Sequence, residues 1–169
     1  MSYEYASFTG SRQIRLLKAS FDQSQSDTIQ CEFLVVNLDD LPCEYTAISY
    51  LWGSSEKPHK VCCDGLSIEV KASALSVLRM AASDDNIGYI WIDALSIDQN
   101  NNAEKAIQVR LMRDVYPAAK RTIAWLGEAT PNTNEAMDFI VTLLTVLKNF
   151  KDAKIVDITR SALQRSLPG

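Results

Sequence analysis

The chain carries one histidine in 169 residues, six glycines, five prolines and no long apolar run. Each shortage removes a class of chemistry. The single histidine, His59, lies in the polar segment SSEKPHK, and no G-x-S-x-G nucleophile elbow is present, so a triad hydrolase is disfavoured. There is no Walker loop and no G-x-G-x-x-G, which argues against a nucleotide-dependent kinase and an ordinary dehydrogenase. A formal net charge of −4 argues against a general electrostatic grip on nucleic acid. No stretch approaches the ~20 apolar residues that span a bilayer. The start, MSYEYASFTGSR, also lacks the charged-then-apolar build of a signal peptide. The expectation is a cytoplasmic protein with neither nucleic acid nor membrane as partner.

The four cysteines, Cys31, Cys43, Cys62 and Cys63, repeat no Cys-x-x-Cys spacing. His59 and Cys62 would supply two metal ligands at most, so no metal site is expected, and reduced thiols suit the cytosol. What remains is carboxylate chemistry or none. Hydrophobic content of 47% and charged content of 22% are ordinary for a globular protein, and the length suffices for one domain with its own core.

The centre of the chain is Gly88 to Gly127, which reads as apolar strand, polar Asp/Gln/Asn turn, amphipathic helix and second apolar strand. Before it, QIRLLK (13–18) and IQCEFLVVN (29–37) read as two strands pairing antiparallel at a sheet edge. YTAISYLWG (45–53) reads as a strand buried on both faces, closed by Trp52-Gly53, where glycine permits a sharp turn. In KVCCDGLSIEV (60–70), Asp64-Gly65 between two β-prone runs predicts an inserted hairpin. Ser73 then caps a helix, YIWIDALSI (89–97) is the next strand, and a helix over 103–119 leads to the strand RTIAWL. A last helix starts at Pro131-Asn132-Thr133, with Ala136, Phe139, Ile140, Leu143, Leu144 and Leu147 as its apolar stripe. Strands alternating with helices predict an α/β fold, an open, mainly parallel sheet flanked by helices. Such sheets bind ligands at the carboxyl ends of their strands. The last residues, SLPG, give no clear stop, which suggests a domain of something longer.

The polar turn brings Asp93, Asp98, Gln99 and Glu104 towards that end. On a helix of ~100° per residue, Glu104 falls within the roughly 120° arc of Ala103, Ile107, Leu111, Val115 and Ala118. It could line a crevice there. It could equally complete a capping box with Asn101. Asp93, placed inside the strand, needs a partner or a ligand if buried, and a structural Asp fastening the next loop is as good an explanation. Asp98 and Gln99 suit Asx turns. Ser49 and Tyr50 read as core, and Trp52 as a structural indole or a stacking platform.

YTAISYLWG, IWIDALSIDQ and AEKAIQVRLMRDVYPAAKRTIAWLG, with the lead-ins QIRLLKA and DDLPCEYTAISY, resemble the successive blocks of the fungal heterokaryon-incompatibility (HET) domain. The resemblance covers roughly residues 3 to 150, giving a HET domain over 1–150 and a C-terminal extension over 151–169. Two departures are Ser96, where the family usually has cysteine, and Lys105, where arginine is commoner.

The resemblance implies a cell-death trigger in nonself recognition, part of a larger protein with a regulatory region or partner protein. It also implies remote similarity to TIR domains, hence a TIR-like, flavodoxin-like sheet, and some TIR domains cleave the nicotinamide–ribose bond of NAD with a glutamate after self-association. Carried over, Glu104 becomes the catalytic candidate, with Ser49, Tyr50, Trp52, Gly53, Asp93, Asp98 and Gln99 around the ligand. NAD would be the substrate and no cofactor would be required. By order of elements the glutamate would instead be Glu135, with Glu128 nearby. A non-catalytic signalling module that assembles and acts through partners is the alternative.

Overall fold

The computed structural model describes residues 3–22, 28–53, 58–128 and 133–148. The expected helix start at Pro131-Asn132 and the tail from 151 lie outside the described residues. The strands are β1 (Gln13–Phe21), β2 (Ile29–Asn37), β3 (Tyr45–Tyr50), β4 (His59–Cys63), β5 (Leu66–Val70), β6 (Tyr89–Ile92) and β7 (Arg121–Trp125). The helices are α1 (Ala72–Ser83), α2 (Asp93–Ser96), α3 (Asn102–Ala118) and α4 (Thr133–Lys148).

One seven-stranded sheet runs in the order β5-β4-β2-β1-β6-β3-β7. It is mixed, not mainly parallel. β2/β4, β3/β6 and β3/β7 pair in parallel, while β1/β2, β1/β6 and β4/β5 pair antiparallel. The parallel unit β6-β3-β7 has the second strand of its trio on one side of the first and the third on the other. This reversal makes the carboxyl ends of β3 and β7 a topological switch point.

The β1/β2 pair lies inside the sheet, not at its edge as its sequence suggested. The reason is visible in β1, where Ile14, Arg15, Leu16 and Leu17 are all buried, so both faces need cover. The hairpin β4/β5 takes the edge instead. Its turn holds Asp64 at φ 50° and Gly65 at φ 79°, the left-handed pair that a two-residue hairpin requires.

Two apolar clusters sandwich the sheet. Ala74, Val77, Leu78 and Ala81 of α1 pack with Leu17, Ile48, Ile90 and Ile92 on one face. Leu111 and Val115 of α3 pack with Ile14, Leu16, Tyr45, Ala47 and Trp91 on the other. Alternation along β6 sends Ile90 and Ile92 one way and Trp91 the other.

Three local details differ from the sequence pattern. β6 stops at Ile92, because the Asp93 carbonyl accepts the Ile97 N–H at 3.3 Å and Ser96 Oγ accepts the Ile92 N–H at 3.2 Å, closing one helical turn. Lys71, not Ser73, stands at the cap of α1, and the Ser73 hydroxyl donates to the Trp52 carbonyl at 2.9 Å. In α4, Met137 is buried while Phe139, expected on the buried side, is 69% exposed.

The central place of β1 is testable. Leu17→Ala should cost about 2–5 kcal/mol in chemical denaturation, as for a closed core site. A loss under about 1 kcal/mol, the size expected of a surface position, would contradict the sheet order.

Candidate functional site

The antiparallel register of β1 against β6 pairs Leu17 with Ile90, which brings the start of β1 to the carboxyl end of β6. Arg15 is there, fully buried among Ile14, Leu16 and Leu17. Its guanidinium meets Glu104 in a two-pronged ion pair, Nη1 to Oε1 at 2.7 Å and Nη2 to Oε2 at 2.9 Å. Nη1 also donates to the Ser96 carbonyl at 3.1 Å, and Nη2 to the Ala6 carbonyl at 2.7 Å. The Phe8 and Tyr5 rings lie 4.1 and 4.8 Å from the guanidinium carbon. This geometry is the strong form of a charge-assisted pair.

Glu104 is 8% exposed. Besides Arg15, its Oε1 accepts the Asp98 N–H at 2.8 Å. Half of the expected capping box is present, since the Asn101 side chain accepts the Glu104 N–H at 3.1 Å, but the Glu104 carboxylate turns to Asp98 and Arg15 instead. Burial by itself would raise this carboxyl. The bonds from Arg15 and the Asp98 N–H, with the guanidinium charge, hold it below the usual carboxylate range. The inward face of α3 is Glu104, Gln108, Leu111 and Val115, while Ile107 is 48% exposed and Ala103 and Ala118 are exposed as well. The projected arc is thus rotated towards Glu104.

A second cluster forms at the ends of β3 and β6. The Trp52 indole Nε1–H donates to Asp93 Oδ2 at 2.9 Å, and Lys71 Nζ stands 5.5 Å from the Trp52 ring centre. Asp93 Oδ1 is buried with no partner. Burial raises the Asp93 carboxyl above its ordinary value, and the bonds from Trp52 and the Ala94 N–H offset this only in part. Tyr50 and Tyr116 flank it. Burial and the Asp93 charge push both phenols up, and a bond to Ser49 tempers the shift at Tyr116. Gly53 has φ 67°, with the Ser73 hydroxyl 3.5 Å from where a Cβ would stand, so a side chain there would be strained.

The other sequence candidates have structural employment. Gln99 Nε2 donates to the Asp93 carbonyl at 2.8 Å, and Asp98 Oδ1 accepts the Asn100 N–H at 3.0 Å in an Asx turn. Glu135 is exposed on α4, and Glu128 is exposed with the Ser76 hydroxyl 3.3 Å away. Ser96 is buried, and its hydroxyl closes the end of β6. Arg15 escaped the sequence reading. The available signal was a cation set in the apolar run Ile14–Leu17, because a buried arginine needs a carboxylate partner. Among the described residues no three or more His, Cys, Asp or Glu come together as a metal site. Among those residues, too, no helix is long and apolar enough to cross a membrane.

Comparison with known proteins adds three findings. The family model for heterokaryon incompatibility protein (HET) matches residues 45–164. Heterokaryon incompatibility protein 6, OR allele, of Neurospora crassa is 34% identical over 144 residues, covering 76% of this chain and 21% of the relative. The chain therefore spans about one fifth of the length of that relative. No solved structure matches the chain.

The two carboxylates should differ in their response to substitution and respond oppositely to pH. Glu104→Gln leaves Arg15 buried without its counter-charge and should cost about 3 kcal/mol in urea denaturation. Because the folded carboxyl of Glu104 is depressed, its contribution is present above the unfolded value near about pH 4.3 and is lost as pH falls through the folded one. The gap between wild type and Glu104→Gln should close in acid. Asp93 has a raised folded value, so its ionisation costs stability, and that cost appears as pH rises through the folded value. Asp93→Asn should change stability at neutral pH by no more than about 1 kcal/mol. Thermal unfolding of both variants across the acid range checks both signs.

Proposed function

Because the chain belongs to the heterokaryon incompatibility (HET) family, we propose that it is the death-triggering domain of a longer fungal protein of nonself recognition, working in the cytoplasm as a signalling module. It acts through self-association or through a partner protein, without catalysis by Glu104. One observation carries this reading. Both Glu104 oxygens are engaged by Arg15, one of them also by the Asp98 N–H, and the carboxylate is buried. A group so held cannot reach the ribose of a nucleotide without first giving up its counter-charge. The exposed apolar side chains at the switch point, Leu51 at 82% and Leu126 at 71%, offer contact area for an assembling copy.

A second reading is a TIR-like NAD glycohydrolase, and the observation that favours it is the unpartnered Oδ1 of Asp93 beside Trp52. The reversal of strand order in β6-β3-β7 is what a flavodoxin-like arrangement would have. In this reading Asp93 takes the place first given to Glu104. Its carboxylate would face the ribose and support the oxocarbenium-like cation that forms as the nicotinamide bond breaks. Trp52 and Gly53 would shape the nicotinamide side, and Gln99 and Asp98 the rim.

Death assays in fungal cells, run beside NAD turnover at rising protein concentration, separate the two. The signalling reading expects death without NAD consumption, retained in Asp93→Asn. NAD turnover that appears on assembly and disappears in Asp93→Asn, with its melting temperature kept, would replace that reading with the second. Loss of death in Glu104→Gln discriminates nothing unless the variant is shown to stay folded, because the ion pair is part of the core.

A further inference from the structure

Residues 3–8 run without regular secondary structure and residues 9–12 form bends and a turn. The Ala6 carbonyl and the Tyr5 and Phe8 rings are what this segment places on the guanidinium. The segment's Tyr3 and Tyr5 rings also rest on Phe33 of β2, 5.1 and 6.0 Å between ring centres, while its backbone ties are few. The Tyr3 N–H reaches the Ser67 carbonyl at 2.9 Å, and the Thr9 and Gly10 N–H groups bond only to the neighbouring Gln13 side chain, at 2.8 and 2.9 Å. Glu4, Ala6, Ser7, Thr9 and Gly10 are exposed. Grooves flank the segment. One of about 700 Å³ separates Tyr3–Tyr5 from Asp98–Asn100, and one of about 340 Å³ separates Ser7–Ser11 from the first turns of α3.

We propose that residues 3–9 are a strap that opens as a unit, uncovering the Arg15–Glu104 pair while the sheet stays folded. The balance of forces favours two discrete states. Closure removes a full ion pair from water and leaves Arg15 Nε buried without an acceptor, and both effects oppose it. Burial of the Tyr5 and Phe8 rings over the cation favours it. Opening returns water to Nε and to the carboxylate, and it frees two aromatic rings at the same place. Opening also gives up the contacts of Tyr3 and Tyr5 with Phe33 of β2, which makes the closed form the resting one. The segment also lies outside the residues 45–164 that match the family model, so the cover is supplied from beyond the matched stretch. The device stands whether the domain signals by assembly or by turning over a nucleotide, since opening widens the groove that Glu104 already lines and exposes both members of the ion pair.

Carbodiimide coupling of an amine to carboxylates, read by peptide mass spectrometry, measures the opening directly. Glu104 is the target and Glu44, with 71% of its side chain exposed, is the internal reference. In the wild-type chain, Glu104 should label slowly, at a rate that is flat in urea below the unfolding transition, the mark of local opening. A rate that climbs with the full slope of global unfolding would overturn the strap. In the double variant Tyr5→Ala/Phe8→Ala, the Glu104 rate should rise about tenfold or more against an unchanged Glu44 rate, with cooperative unfolding retained. An unchanged ratio in that folded variant would also overturn it. Should the double variant fail to fold, the urea dependence in the wild-type chain decides alone.

Discussion

A guanidinium in the core is unstable company for apolar side chains unless its charge is answered, and the carboxyl rim of this sheet is organised around that requirement. Arg15 is answered by Glu104 from α3, by the Ser96 carbonyl from the α2 turn and by the Ala6 carbonyl from the N-terminal segment. Four separate pieces of chain are thereby fixed relative to one another at the end of β6. A lysine could not do this, because one ammonium cannot present parallel donors to both carboxylate oxygens and still reach two carbonyls. The pair also orders the loop above it, since Oε1 takes the Asp98 N–H and so sets where the Asp98–Asn100 turn begins.

The same constraint decides which carboxylate is free. Glu104 and Asp93 sit at one end of the sheet, the first buried and the second half-buried, yet their carboxyls shift in opposite directions. Glu104 has a cation and a backbone donor. Asp93 has no cation, only the Trp52 indole and the Ala94 N–H as donors, which leave its burial incompletely offset. Buried polar atoms without partners are costly, so one at the carboxyl end of β6 has more need of a ligand than an atom already saturated. Glu104 is the more recognisable residue in the sequence and the less available one in space.

Much of the architecture was legible in the pattern of residues. The Asp64-Gly65 hairpin, the two crossover helices and the strands YTAIS and RTIAW follow from alternation, turn chemistry and helical period. What failed to show were features set by distant partners. Arg15 and Glu104 are 89 residues apart, and no local period reports that they meet. Asp93 sits in an apolar run that reads as uninterrupted strand, but the Ser96 hydroxyl capping the Ile92 N–H ends the strand one residue before it. The interior place of β1 was hidden for a related reason: a single charge at position 15 reads as edge character until its partner is known. Phe139 was assigned to a buried stripe because a hydrophobic period gives a face, not what the face packs against.

The size of the folding unit follows from these contacts. The matched stretch 45–164 contains β3, β6 and β7 with Ser96, Asp98 and Glu104, but not Arg15. Taken alone it would leave Glu104 inside the protein with no counter-charge, and β6 with an open edge where β1 now lies. Its apolar face would lose Ile14, Leu16 and Leu17, which close both clusters against Trp91 and Ile90. β1 and β2 are therefore part of the same core and not an appendage to it. Arg15 belongs to β1 and its cover to the segment before it, so both the partner and the cover of the Glu104 carboxylate come from outside residues 45–164, which the family model matches. That separation is what allows one carboxylate to serve as a fixed strut in the closed form and to be presented to solvent in an open one.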